Sequence, residues 1–121
     1  IEPGAIGYIN AHGTATHKGD VVENNAIKSV FGADSPVRIN STKASTGHMM
    51  GAGGITEVIT CVKAIETGII PATLNLENKD PECDMYYVSS TEKDMNIDHA
   101  MSNAFGFGGQ NSSIIVGKHK G

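Results

Sequence analysis

The first third of the chain contains a short apolar run, then a polar loop, then an amphipathic stretch. Residues 5–10 are mostly apolar and predict a buried strand. Residues 20–31 predict a helix, because Asp20 and Glu23 have the spacing of a capping box. Gly32 stands where a C-terminal cap is expected. The apolar face of this helix is expected to comprise Val22, Ala26, Ile27, Val30 and Phe31.

The middle of the chain repeats this order with a second strand and a longer helix. Residues 37–41 predict a strand, and residues 46–66 predict a helix that ends at Gly68. Its first turns contain three glycines, which lower helix propensity and suggest that another element packs closely there. These glycines are Gly51, Gly53 and Gly54, and the apolar stripe is expected to comprise Ile55, Val58, Ile59, Val62 and Ile65.

The last third of the chain predicts strands and turns. A turn-rich connection over residues 71–84 leads to a predicted strand at 85–89. Residues 99–105 and 113–117 predict two further strands, joined by a glycine turn at 106–109. Strands that alternate with helices and are followed by more strands indicate an α/β fold, in which a sheet is layered with helices.

Composition narrows the class of protein. The 121 residues suit one compact unit, and 39% apolar residues with a net charge of −4 argue against disorder. The short basic tail at residues 118–120 is too small for a nucleic-acid-binding stripe, and no apolar stretch approaches the roughly 20 residues of a membrane span. No signal peptide is visible, and Cys61 and Cys83 lack CxxC spacing, which favours reduced thiols in a cytoplasmic protein. Because residue 1 is Ile, we expect a removed terminus or a piece of a longer protein.

Two histidines follow predicted strands, in polar loops that lead into predicted helices. His12 lies in the segment NAHGTAT, and His48 lies in the segment STKASTGH. Catalytic groups of α/β proteins cluster where strands end, so both imidazoles are expected at one edge of the sheet. Taken alone, each histidine is more often a packed or surface residue than a catalyst.

A zinc site is the weaker interpretation of the histidines. The chain has no HExxH motif, and His12 and His17 lack a plausible third ligand. His17, His99 and His119 have no supporting context and are expected at the surface. No metal site is therefore predicted.

The polar residues near the two histidines have structural and functional interpretations. Lys43 is either a solvated surface lysine or a fixed cation that orients His48 or pairs with Glu57 as a buried ion pair. Thr14 and Thr16 are either turn and capping residues or hydrogen-bond donors to a polar ligand arm.

The turn FGFGGQN at residues 105–111 also has two interpretations. Its glycines permit the positive φ angles of a tight hairpin. Phe107, flanked by Gly106 and Gly108, would alternatively act as a mobile apolar plug.

Four segments, in order along nearly the whole chain, resemble elongating β-ketoacyl-acyl-carrier-protein synthases. Two of them resemble that family's histidine loop and lysine–histidine segment, and two resemble the segments that close its chain. The four are NAHGTATHKGDVVE, INSTKASTGHMMGAGG, PATLNLENKDPECDMYYV and SNAFGFGGQNSSIIV. The spelling of the second segment favours the stand-alone fatty-acid type, and within it the bacterial synthase II group, over modular polyketide enzymes.

The resemblance implies the thiolase fold, in which two similar α/β halves form five alternating layers. Residues 1–121 would be most of the second half, and the first half, with its cysteine nucleophile, would be absent. The implied reaction is acyl transfer onto that cysteine, then decarboxylating Claisen condensation with malonyl-acyl-carrier protein in fatty acid elongation.

The resemblance also implies roles for individual residues. His12 and His48 would flank the reacting thioester and donate imidazole N–H groups to its carbonyl oxygen. Lys43 would organise His48 electrostatically, and Glu57 is the acid associated with that lysine.

Other positions match the family's substrate-binding residues. Thr14 and Thr16 match positions that contact the phosphopantetheine arm, and Phe107 matches the gating phenylalanine of the acyl pocket. Gln110 departs from the family, which commonly has Thr there. Neither Cys61 nor Cys83 matches the nucleophile's motif.

The resemblance implies acyl carrier protein as a partner, with substrates carried on its phosphopantetheine and no resident cofactor. It further implies a cytoplasmic acyltransferase that forms a homodimer when complete. The competing hypotheses are a polyketide ketosynthase, a non-catalytic chain-length factor, and a stand-alone binding or structural module.

Overall fold

The computed structural model describes residues 1–119 and 121 and shows one four-stranded sheet with helices on both faces. The strands are β1 (Tyr8–Asn10), β2 (Arg38–Asn40), β3 (His99–Gly106) and β4 (Gln110–Gly117). The α-helices are α1 (His17–Phe31), α2 (Lys43–Thr46) and α3 (Gly53–Thr67), and short 3-10 helices cover Pro3–Ala5 and Met50–Ala52. The predicted α/β fold is therefore confirmed.

The strand order is β2-β1-β3-β4, with β1 parallel to both of its neighbours. Asn10, the last residue of β1, pairs with Asn40, the last residue of β2. The loops that follow β1 and β2 therefore leave the sheet side by side at one edge. Strands β3 and β4 form the expected hairpin, although its turn is only three residues long, 107–109.

Two apolar clusters pack on opposite faces of the sheet, because successive strand residues point in opposite directions. Ile9 of β1 lies with Ile27 of α1 in one cluster. Tyr8 of β1 lies with Cys61 and Ala64 of α3 in the other. Helix α1 therefore covers one face of β1 and α3 covers the opposite face.

The start of α1 differs from the prediction. The helix begins at His17, with Thr16 as its N-cap residue, and not at Asp20. The proposed capping box is wrong, because the Glu23 carboxylate accepts hydrogen bonds from the loop that follows β1. The predicted C-terminal cap at Gly32 is confirmed.

The long helix predicted over residues 46–66 is wrong in its first part. The chain forms the single turn of α2, then the 3-10 helix, and α3 starts only at Gly53. Gly47 and Met50 have positive φ angles of 77° and 50°, which regular helix does not accommodate. The predicted end at Gly68 is confirmed by its left-handed conformation.

The apolar positions predicted for the two long helices are divided between the sheet and the solvent, because Ile27 of α1 is buried in the core while others are exposed. Val22 and Val30 of α1 are 59% and 61% exposed, and Ile55 and Ile59 of α3 are 61% and 54% exposed. The buried positions of α1 are Glu23, Asn24 and Ile27, and those of α3 are Gly53, Glu57, Cys61 and Ala64. The sheet-facing positions of α3 are therefore small or polar, whereas those of α1 combine two polar side chains with Ile27.

Two smaller expectations also changed. The strand predicted at residues 85–89 is reduced to a single parallel bridge between Tyr87 and Ile39 of β2. The three glycines at and just before the start of α3 do not make unusually close contacts. A Cβ on Gly54 would lie 3.8 Å from the Cβ of Ala104, and a Cβ on Gly51 would meet nothing within 4 Å.

No helix within residues 1–119 is long and apolar enough to cross a membrane.

Buried hydrogen bonds between side chains connect the strands near their carboxyl ends. The Tyr8 hydroxyl, fully buried, donates to Asn40 Oδ1 over 2.7 Å. The Asn40 amide donates to the carbonyl of Pro71, and the Asn10 amide donates to the Thr42 hydroxyl. These bonds fix the position of the chain where β2 ends and the following loop begins.

Tyr8→Phe is expected to lower the free energy of unfolding by about 1–3 kcal/mol, because it leaves a buried amide oxygen without its donor. Urea denaturation monitored by circular dichroism measures this change. Tyr86→Phe is the matched control, since the Tyr86 side chain is exposed and its hydroxyl bonds to Glu92 at the surface. Equal losses in the two variants would contradict the structural role of the buried bond.

Candidate active site

The two histidines singled out from the sequence lie together at one edge of the sheet. His12 is in the loop after β1, and His48 lies between α2 and the 3-10 helix that precedes α3. Their ring centroids are 5.8 Å apart, and the ring planes are nearly perpendicular at 88°. The expectation that both loops bring an imidazole to the same edge is met.

Each imidazole accepts a backbone hydrogen bond at the same ring nitrogen. His12 Nδ1 accepts from the N–H of Phe105 over 3.3 Å, and His48 Nδ1 accepts from the N–H of Met50 over 3.3 Å. An accepting Nδ1 carries no proton, so in both rings the proton is on Nε2. The site therefore offers two Nε2–H donors from two different loops.

The Glu23 carboxylate fixes the backbone at His12. It is 5% exposed, and it accepts hydrogen bonds from the N–H groups of His12 and Gly13 over 2.9 and 3.0 Å. It also accepts from the Asn103 side-chain amide over 3.1 Å, which links the loop to β3. Sequence reasoning missed this role by assigning Glu23 to a capping box. The sequence feature that could have indicated this role is the four-residue spacing between Glu23 and Ile27, which places both side chains on the buried face of the helix.

Lys43 and Glu57 form a buried ion pair. Their side chains are 8% and 3% exposed, and the ammonium donates to Glu57 Oε1. The surface interpretation of Lys43 is therefore wrong, and the fixed cation is the observed arrangement. Because each charge is buried, removing either one alone would leave the other without compensation.

The electrostatic surroundings of His12 favour its neutral form. Burial lowers the pKa of His12, the positive charge of Lys43 lowers it further and the neighbouring His48 acts in the same direction, while Asp20 acts in the opposite direction. A neutral imidazole keeps its Nε2–H as a donor and its Nδ1 as an acceptor, which agrees with the hydrogen bond from Phe105.

A cavity of about 480 Å³ opens beside this edge of the sheet. Lys43 and His48 line it, together with Thr14 and with residues of the connection that follows α3. Its remaining lining includes Asp20, Ser41, Leu74, Asn75, Asp80 and Cys83. Both loops that carry the histidines therefore contribute residues to the cavity wall.

The other predicted site residues are more dispersed. Thr16 is the exposed N-cap residue of α1 and does not line this cavity. Phe107 is 91% exposed in the hairpin turn, between Gly106 at the end of β3 and Gly108 at φ 85°. The hairpin interpretation of the two glycines agrees with this geometry, and within the described chain Phe107 closes no pocket.

Neither cysteine is an activated thiol. Cys61 is buried in α3 and donates to the carbonyl of Met101, and burial raises its pKa to about 12. Burial and then the nearby carboxylates, Asp80 first, raise the pKa of Cys83. A nucleophilic thiol needs a lowered pKa, so neither cysteine has that property.

Comparison with known proteins agrees with the geometry of this edge. Residues 1–77 match the family profile described as beta-ketoacyl synthase, C-terminal domain. The chain belongs to the β-ketoacyl synthase family. Its lysine–histidine segment and both site histidines lie within the matched residues.

Relatives extend the match over nearly the whole chain. The 3-oxoacyl-[acyl-carrier-protein] synthase 2 of Coxiella burnetii is 44% identical over 98% of the chain. The chain spans only 29% of the length of that relative and 29% of the same-named synthase of Synechocystis.

Solved ketosynthase structures share the fold. The ishigamide ketosynthase/chain length factor matches 99% of the chain with a TM-score of 0.94 and 36% identity, and the chain covers 30% of it. A type II polyketide ketosynthase solved with its acyl-carrier protein, bound to the hexaketide, matches 99% of the chain with a TM-score of 0.92 and 34% identity, and again 30% of that protein is covered. The chain therefore matches about 30% of these thiolase-fold ketosynthases, which confirms the thiolase-like fold class that the resemblance implied.

Lys43→Met is expected to raise the pKa of His12, because after burial the Lys43 ammonium lowers it most. The double variant Lys43→Met/Glu57→Gln removes both charges of the ion pair, so no buried carboxylate is left without compensation. It should also raise the pKa of His12. NMR titration of the His12 ring protons measures the change. Lys63→Met, at an exposed pair with Glu66, is the control. A His12 titration unchanged in both Lys43 variants would contradict the assignment.

Proposed function

We propose that this chain is the C-terminal part of an elongating 3-oxoacyl-acyl-carrier-protein synthase, an acyltransferase of fatty acid synthesis. The observation that carries the proposal is the pair of adjacent imidazoles at one edge of the sheet, with His48 on the cavity wall and each ring holding its proton on the nitrogen that is free to donate. Two such donors suit a substrate oxygen on which negative charge develops.

The reaction we infer has two stages. An acyl group first moves from its carrier to a cysteine thiolate supplied by the remainder of the protein. The malonyl thioester then loses carbon dioxide, and the electron pair of the broken carbon–carbon bond becomes an enolate. The enolate carbon attacks the acyl thioester carbonyl, forms the new carbon–carbon bond and expels the cysteine thiolate.

In this scheme His12 and His48 stabilise the enolate oxygen through their Nε2–H groups. Neither imidazole needs to transfer a proton during decarboxylation, which suits the lowered pKa of His12. Lys43, held by Glu57, acts as a fixed positive charge beside the histidines and does not shuttle protons. Thr14, on the cavity wall, and Thr16, at the entrance to α1, would contact the phosphopantetheine arm.

The same proposal covers domain organisation and partners. Residues 1–121 form most of the second thiolase-like half, and the first half contributes the nucleophilic cysteine. The complete protein would take substrates from acyl carrier protein without a resident cofactor, act in the cytoplasm and form a homodimer. Since Cys61 and Cys83 both have raised pKa values, this chain alone should form no acyl-enzyme.

A polyketide ketosynthase is the second candidate. It is favoured by the solved structures, because the ishigamide protein and the acyl-carrier-protein complex both match almost the whole chain. The relative from Coxiella burnetii is instead named as a 3-oxoacyl-carrier-protein synthase and is 44% identical, against 36% for the ishigamide protein. We therefore favour fatty acid elongation, and we set aside a chain-length factor because both histidines are in place.

His12→Ala and His48→Ala, each made in the complete protein, are expected to reduce malonyl decarboxylation by about 10²–10³-fold, because each removes one donor to the developing oxyanion. Release of carbon dioxide from labelled malonyl-acyl-carrier protein measures the rate. His119→Ala, in the exposed tail, is the matched control. Decarboxylation within a factor of a few of the unmodified rate in either site variant would refute the proposed roles.

Phe107→Ala is expected to alter acylation and condensation kinetics while leaving stability nearly unchanged. The 91% exposed side chain makes few contacts within this chain, so its proposed gating role must act on the substrate channel of the complete protein. Stopped-flow acylation and steady-state condensation measure the two half-reactions, and urea denaturation measures stability. Unchanged kinetics would show that Phe107 is not a gate.

A further inference from the structure

His17, Asp80 and Glu82 form a side-chain cluster outside the two histidine loops. His17 is the first residue of α1, and the two carboxylates belong to the connection between α3 and β3. His17 Nε2 lies 3.1 Å from Glu82 Oε2 and 3.8 Å from Asp80 Oδ2. One ligand atom from each residue lies within 4.8 Å of the others.

The backbone of the carboxylate-bearing turn orients Asp80. Its Oδ1 accepts the N–H of Glu82 over 2.9 Å, and its carbonyl accepts the N–H of Cys83 over 2.9 Å. With one carboxylate oxygen occupied in this way, the other faces His17. Metal ligands in proteins are commonly oriented by such hydrogen bonds to the ligand's second polar atom.

Two of the three ligand-atom separations within the cluster, those from His17 to each carboxylate, fit a small divalent ion. Zn²⁺ bound at about 2.0–2.2 Å in a tetrahedron places its ligand atoms roughly 3.4 Å from each other. The two measured separations, 3.1 and 3.8 Å, lie on either side of that value. One imidazole and two carboxylates are also the donor types that Zn²⁺ accepts.

The charge balance of the turn also favours a cation. Lys28 pairs with Asp84, and within residues 1–119 neither Asp80 nor Glu82 has a lysine or arginine partner. Their negative charges act on a neighbour, since after burial they contribute to the raised pKa of Cys83. Among residues 1–119, the one close basic partner of these two carboxylates is thus an imidazole.

We propose that His17 Nε2, Asp80 Oδ2 and Glu82 Oε2 bind one divalent transition-metal ion of the Zn²⁺ type, with water as the fourth ligand. The site joins the N-terminus of α1 to a turn 65 residues away in the chain. Because Asp80 and Cys83 also line the cavity, the bound ion would hold one wall of the cavity in place. The site is independent of the proposed condensation chemistry.

Isothermal titration of the complete protein with Zn²⁺ tests the site. One equivalent is expected to bind, and His17→Ala and Glu82→Gln are each expected to weaken that binding by more than about tenfold, since even loss of a supporting residue costs 10–100-fold. Both side chains are well exposed, at 71% and 61%, so neither change should prevent folding. Zn²⁺ should also raise the thermal midpoint of the unmodified protein and not that of either variant.

Two controls separate this site from other histidines. His119→Ala, the same change at an exposed tail position, should leave the Zn²⁺ affinity unaltered. The double variant His12→Ala/His48→Ala should still bind one equivalent of Zn²⁺, because those two rings lie in the candidate active site and not in this cluster. Binding that survives in His17→Ala and Glu82→Gln, or that disappears with His12 and His48, would overturn the proposal. So would the absence of any stoichiometric binding, which would make the cluster a hydrogen-bonded surface group only.

Discussion

The buried carboxylate of Glu23 is the interaction on which the candidate site most depends. It accepts the N–H groups of His12 and Gly13 and the amide of Asn103, so one side chain of α1 joins the loop after β1 to β3. A charged group at 5% exposure is stable only when hydrogen bonds replace its water, and three donors do so here. The position of His12 therefore follows from the packing of α1 on the sheet.

A second buried carboxylate acts from the opposite face. Glu57 of α3 holds Lys43, and Lys43 lies in the short helix between β2 and His48. The parallel register of β1 and β2 brings both loops out at the same level, because Asn10 and Asn40 are paired. Each helix layer thus contributes one carboxylate to the same edge of the sheet, and the two histidines meet there with their rings 5.8 Å apart.

The sequence predicted the strands, the helices and the sheet edge that carries the histidines better than it predicted the side-chain hydrogen bonds. Strand periodicity and loop position were enough to bring His12 and His48 together, since parallel strands end at a common edge. The role of Glu23 depends on a long-range partner. Glu23 bonds to Asn103, 80 residues away, and a capping rule considers only neighbours in the chain. The cluster at His17 was not predicted either, because Glu82 is 65 residues away from His17 in the chain.

The helices also show why an apolar stripe does not reveal the direction it faces. Val22, Val30, Ile55 and Ile59 repeat at helical spacing as predicted, yet each is more than half exposed. Complete burial of such a side chain contributes about 1.5–3 kcal/mol, so four side chains at this exposure leave roughly 4–7 kcal/mol of stabilisation unrealised. That amount is comparable to the total stability of about 5–15 kcal/mol typical of a domain. Helices with such exposed apolar positions gain most when a further layer covers them, while their opposite faces, which include Glu23 and Glu57, approach the sheet. The exposed apolar positions therefore support the proposal that the remainder of a ketosynthase packs on these faces.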